Sequence, residues 1–149
     1  MTAEDINDTF RRMERSADVR LFTITVQDPD AMVVRRAYSS HPDAYPVSGT
    51  KPLELGDPWS EQVLIEKRSF VANRTEEFRE LFFDHAEINA LGCHSAMNIP
   101  VLRPDGEVAG TVNLLDVEGY FTPERVAALE ALISSEHAAL LYAMEAVEL

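Results

Sequence analysis

Apolar residues in this chain follow two different periods, and the change from one to the other marks out its elements. Along residues 2–16, Ile6, Phe10 and Met13 recur at spacings of four and three, the single stripe of a short helix. In the run RLFTITVQD the period drops to two, with Phe22, Ile24 and Val26 alternating with Leu21, Thr23 and Thr25. Asp28-Pro29-Asp30 breaks this run and AMVVRRAYSS resumes it, so residues 19–39 predict an antiparallel hairpin. Residues 41–58 lose all periodicity; their four prolines and two glycines favour turns, and their 18 residues make a long connection of the kind that carries binding functions. Beyond it, the pattern predicts a helix over Trp59–Lys67 started by Pro58, and a brief extended stretch over Ser69–Ala72. A second helix is expected over residues 75–85, with Thr75 as its cap and Glu76 and Glu77 in its first turn.

The second half is simpler. Two strands flank Pro104-Asp105-Gly106, a strong turn signal. Thr122-Pro123-Glu124 then opens a long helix, with threonine at the N-cap, proline in the first turn and an acid beside it. Its apolar face runs through Val126, Leu129, Leu132 and Ile133 and on through His137, Leu140, Leu141, Met144 and Val147, with His137 read as a packing or surface residue. The order helix, hairpin, loop-rich segment, hairpin, helix predicts an α/β fold of the α+β kind. Its central antiparallel sheet has about five strands, with the terminal helices on one face and loops and short helices on the other.

Strand alternation also sorts the two faces of the sheet. Phe22, Ile24, Val26, Met97, Ile99, Val101, Val112 and Leu114 share an apolar face suited to the terminal helices. The opposite face collects Thr23, Thr25, Asn98, Thr111 and Asn113, polar groups that need partners if residues 41–92 cover them. A bound polar ligand supplies such partners; loop backbone and ordered water supply them equally well. Tyr38, Tyr45, Trp59 and Ser95 complete the set of candidate ligand-binding residues. On the second strand, alternation pairs Arg36 with Tyr38 and Arg35 with Ser39, without deciding which pair faces inward.

Charge and cysteine content narrow the functional classes. Acidic residues outnumber basic ones 26 to 13, for a formal charge of −13 that repels nucleic-acid phosphates and anionic membranes. The single cysteine, Cys93, excludes an internal disulfide and suits a reducing, cytoplasmic setting. The opening residues MTAEDINDTF lack the features of a secretory signal, and no run is long enough for a membrane helix. The histidine spacings match no compact zinc pattern, so no metal is expected, and no glycine-rich phosphate loop is present.

The second half resembles the GAF domain family, at Ile99-Pro100-Val101, Gly106, the Gly110 to Leu114 strand and Phe121-Thr122, and the likeness extends over about residues 4–147. It implies a sheet with the second hairpin central and the 70–72 strand at an edge. It also implies a pocket for a small molecule (cyclic nucleotides, tetrapyrroles, haem, amino acids and other metabolites occur in the family) and pairing through the terminal helices. No particular cofactor is singled out. The stretch LGCHSAMNIPV is distantly similar to the cysteine-bearing loop of free methionine-(R)-sulfoxide reductases, and a cysteine so placed also resembles a bilin attachment point. Those reductases use several cysteines, whereas here Cys93 stands alone and would need an outside thiol to be recycled.

Three functions follow as expectations for one domain spanning residues 1–149. The first is a small-molecule sensing or binding module, with its pocket between the sheet and residues 41–95 and a homodimer seam along the terminal helices. The second is an enzyme acting on a small metabolite through Cys93 or His94. The third is a structural module whose pocket is vestigial.

Overall fold

The computed structural model describes residues 2–147; Met1, Glu148 and Leu149, the ends of the expected domain, lie outside the described residues. Helix α1 (Ala3–Ala17) begins at a capping box in which the Thr2 hydroxyl accepts from the Asp5 amide while the Asp5 carboxylate accepts from the Thr2 amide. Strands β1 (Leu21–Asp28) and β2 (Val33–Ser39) form the first hairpin. Within the proline-rich connection a three-residue strand, β3 (Thr50–Pro52), pairs with β2. Helix α2 (Pro58–Ser60), β4 (Phe70–Ala72) and α3 (His85–Ala90) follow, then the second hairpin of β5 (Ser95–Leu102) and β6 (Val108–Asp116). Helices α4 (Pro123–Ser135) and α5 (His137–Glu145) close the chain.

The strands form one antiparallel sheet in the order β3-β2-β1-β6-β5-β4, so β6 is internal and β4 is an edge. It has six strands rather than about five. The added one, β3, is exposed along its length and carries no burial pattern that periodicity could detect. On one face α1, α4 and α5 bury Phe22, Ile24, Val26, Met97, Ile99, Val101, Val112 and Leu114 against Phe10, Met13, Leu129, Ile133, Leu140 and Met144. A second cluster on the opposite side packs Phe78, Ile88 and Cys93 from the loop-rich region against Leu21, Ala96 and Leu115 of the sheet.

Four expectations are corrected. First, the helix expected over Trp59–Lys67 has only one α-helical turn, with Asp57 capping and Pro58 leading, and then widens into π-type turns over Glu61–Ile65. Second, residues 75–85 do not form a helix. The Thr75 hydroxyl accepts from the Asn89 side-chain amide and pairs with His94 Nδ1 instead of acting as a cap, and the Glu77 carboxylate turns back onto the amides of Asn73 and Arg74. A short 3₁₀ turn over Thr75–Glu77 is all that remains, and the true helix, α3, starts only at His85. Third, the terminal helix is broken at Glu136, and its halves meet at 66°. There the Ser135 hydroxyl bonds back to the Leu132 carbonyl, and His137 Nε2 docks on the Leu102 carbonyl of β5 at 2.8 Å. Hydrophobic periodicity continues across this break because both halves cover the same sheet. Fourth, an irregularity in the β1–β2 register places Arg36 opposite Thr25 and Tyr38 opposite Ile24, so the two side chains expected together lie on opposite faces.

Candidate functional site

Register alone brings the polar residues of the second face side by side. Thr23 pairs with Asn113, which pairs with Asn98; Thr25 pairs with Thr111 on one side and Arg36 on the other. Leu21 and Leu115 pair one step along, giving the face an apolar end beside a polar centre.

The side chains in this centre form one directed hydrogen-bond network. An indole N–H can only donate, so the Trp59 Nε1 donation to Asn98 Oδ1 at 2.9 Å sets the orientation of that amide. Asn98 Nδ2 then donates to Asn113 Oδ1 at 2.9 Å, and the Thr111 hydroxyl donates to the same oxygen at 2.9 Å. Asn113 Nδ2 in turn reaches the hydroxyl oxygens of Thr23 and Thr25 at 3.2 and 3.3 Å. Because Thr111 has committed its proton, the 2.7 Å contact between Thr25 and Thr111 has Thr25 as donor. Every acceptor atom in the network receives at least one hydrogen bond. The Thr23 hydroxyl proton and the second Asn98 N–H are left, and both are donors.

Above this floor lies a cavity of about 170 Å³. Its cover comes from the connection through Tyr45, Gly49 and Lys51, from Trp59 and Leu64, and from Phe82, Phe83, Asp84 and Ile88. Tyr45 donates to Asp84 at 2.9 Å, and its ring lies 4.9 Å below the Arg36 guanidinium carbon. Burial, aided by the Asp84 charge and hydrogen bond, holds the Tyr45 phenol well above its usual range, so it stays neutral. Burial lowers the pKa of Arg36, and the fields of Tyr45 and Asp84 oppose that shift. Lys51 is on the exposed edge strand, yet its ammonium lies 5.6 Å from the Trp59 ring centre. Desolvation lowers its pKa, with the Asp84 charge opposing.

Of the nine residues expected to bind a ligand, Thr23, Thr25, Tyr45, Trp59, Asn98, Thr111 and Asn113 line this cavity. Tyr38 and Ser95 do not. Tyr38 faces the helical layer, against Phe10 and Phe22, and donates to Glu14. Ser95 is fully buried and spends its hydroxyl on the carbonyls of Asp116 and Val117. Cys93 and His94 are also elsewhere. The thiol has no exposed surface, and burial, with the Asp116 charge, pushes it from its usual 9 up to about 11. His94 Nδ1 is engaged by Thr75 and Asn89. Arg36, Lys51 and Asp84 line the cavity without having been singled out from the sequence. Only Arg36 carried a usable signal, its place on a strand bordering the polar face, and the register irregularity concealed it. Among the described residues, no group of three histidine, cysteine or carboxylate side chains is placed to hold a metal ion.

A six-stranded antiparallel sheet with helices on one face and a loop-covered polar cavity on the other defines the class: an α+β domain built on a single two-faced sheet. The GAF domain family profile matches residues 10–135, and the chain belongs to that family. Among solved structures it is similar to the GAF domain/HD domain protein of Geobacter sulfurreducens (TM-score 0.70, 14% identity, covering 97% of this chain and 94% of that one). It is also similar to the GAF domain of a two-component sensor histidine kinase from Bacillus halodurans (0.66, 14%, 94% and 93%). A third is the second GAF domain of DevS from Mycobacterium smegmatis (0.64, 14%, 96% and 95%). At these identities the likeness concerns the fold. No curated protein matches the chain, and nothing in these comparisons supports the likeness to methionine sulfoxide reductases.

Proposed function

We propose that this GAF domain is a small-molecule sensing or binding module whose site is the cavity between the sheet and residues 41–92. The carrying observation is the network centred on Asn113, which gathers six polar side chains from four elements on the floor of one cavity and leaves two donors uncommitted. A sheet face serving only as packing surface is covered more cheaply by apolar side chains, as the opposite face is. A cavity of about 170 Å³ is below the roughly 300–1,000 Å³ of drug-sized pockets, which favours a small metabolite. The buried, protonated Cys93 lends no support to a thiol-dependent reaction.

Binding is transmitted, in this reading, through a homodimer formed by the terminal helices in the cytoplasm. Ala127, Ala128, Ala131 and Ala138 are exposed on α4 and α5, and Tyr142 is 60% exposed, a surface open to close approach by another helix. The unpaired cysteine suits a reducing compartment. Among the described residues, no single helix is long and apolar enough to cross a membrane.

A thermal-shift screen of the chain against a broad panel of central metabolites tests the binding role. At least one compound should raise the melting temperature of the parent but not of Asn98→Leu/Asn113→Leu. A panel that leaves the parent unmoved, or that shifts both proteins equally, counts against the cavity as a binding site.

A further inference from the structure

The charges around the cavity run against those of the chain. In a protein of net charge −13, the only charged side chains lining the cavity among the described residues are Arg36, Lys51 and Asp84, an excess of one positive charge in the lining. Among the described residues neither Arg36 nor Lys51 forms an ion pair. Arg36 Nη1 donates to the Pro46 carbonyl at 3.0 Å, but its Nε is buried without a partner. The guanidinium also passes close over Gly49, where a Cβ would lie 2.9 Å from Nη1, so the connection leaves it room. The floor below contributes the unspent Thr23 and Asn98 donors. At the other end, Leu21, Ile88, Leu115 and Phe82 form an apolar wall, and the rim residue Phe83 is 83% exposed.

We infer that the ligand is a small monocarboxylate with an apolar body, its carboxylate held by Arg36 and Lys51 over the Thr23–Asn98 donors and its body against Leu21, Ile88 and Leu115. This deepens the binding role proposed above and rests on it. An anion supplies acceptors for the two unspent donors of the floor, and one negative charge matches the excess of one positive charge among the lining side chains. The planar fork of a guanidinium suits a planar two-oxygen group. An ammonium ligand meets two cations and spare donors, and an alcohol leaves the local charge uncompensated.

Trp59 is the only tryptophan and lines the cavity, so its fluorescence reports occupancy directly. The intact chain is titrated with propionate, butyrate, valerate and hexanoate and with the alcohols and alkylammonium ions of matched length. Carboxylates should saturate the signal with Kd about ten-fold or more below their matched alcohols, the scale of a charge-assisted hydrogen bond. Arg36→Gln and Lys51→Met should each remove most of that preference while circular dichroism is unchanged. Should Arg36→Gln fail to fold, Lys51→Met on the exposed edge strand carries the comparison alone. Alcohols or ammonium ions binding as well as carboxylates, or a preference unaffected by Lys51→Met, overturns the inference. If those neutral or cationic probes bind and lose affinity in Asn113→Leu, the binding role survives and only the charge assignment fails. If no probe of any class binds and the metabolite screen is also silent, both fail.

Discussion

Replacing Asn113 by alanine probes the network at the side chain through which its bonds run. Asn113 accepts two hydrogen bonds, from Asn98 and Thr111, and donates two, to Thr23 and Thr25. At a net of about 0.5–1.5 kcal/mol per bond, the four sum to roughly 2–6 kcal/mol. Truncation also enlarges the cavity, and water entering it rehydrates the freed groups, which brings the expected cost down to about 2–3 kcal/mol. For a chain of this length each kcal/mol lowers the melting temperature by about 2–4 °C, so Asn113→Ala should melt roughly 4–12 °C below the parent. Thermal denaturation followed by far-UV circular dichroism measures the shift. Combining the substitution with Asn98→Ala should give a total clearly less than additive, by about 0.5 kcal/mol or more, because one bond is lost in both single variants. A melting temperature within about one degree of the parent, or strict additivity, would show that these side chains are separately hydrated and that the directed network does not exist in solution.

Three further outcomes follow. Gly110→Ala places a Cβ 2.0 Å from the Thr25 carbonyl oxygen and 2.5 Å from the Met144 methyl, so strands must separate; destabilisation at or above the upper end of the usual overpacking range, about 3 kcal/mol, is expected in urea titrations, and a change under 1 kcal/mol would contradict the close β1–β6 approach. Burial raises the Cys93 pKa, so the folded state holds that proton more tightly than the unfolded chain; stability is full below about pH 9 and declines as pH rises towards 11, and Cys93→Ala should flatten that part of the urea-midpoint profile. Sedimentation equilibrium at low micromolar concentration should give twice the chain mass, and Ala138→Glu should weaken the association by placing a carboxylate in the α5 seam; a single-chain mass throughout the concentration series rules out the dimer.

Much of this architecture is legible in the chain because burial is periodic. Phe22, Ile24 and Val26 alternate with Thr23 and Thr25, and each set lies on the face that alternation assigns. The same argument brought Asn98, Thr111 and Asn113 to one site from two strands. What escaped it depends on local events that carry no period. One irregularity between Ile24 and Thr25 turns Arg36 towards the cavity and Tyr38 away from it. Thr75 and Glu77 look like helix-starting residues, yet their oxygens serve His94, Asn89 and the preceding backbone. The break at Glu136 leaves the apolar stripe intact, because α4 and α5 both cover the sheet. Lys51 reaches the cavity from a three-residue edge strand too short to show a period, and Asp84 from an irregular segment where no spacing rule connects sequence position to facing direction.

The claim that the cavity is a ligand site is tested most directly by amide and indole proton–nitrogen correlation spectra of the chain, recorded during titration with the compound giving the largest thermal shift, or with hexanoate if none does. The account predicts saturable shifts at the Trp59 indole and the Asn98 and Asn113 side-chain amides, together with the backbone of Thr23, Thr25 and Thr111, while the outward face of α4 stays unchanged. Spectra that do not move, or shifts confined to the terminal helices with the Trp59 indole unaffected, would contradict it.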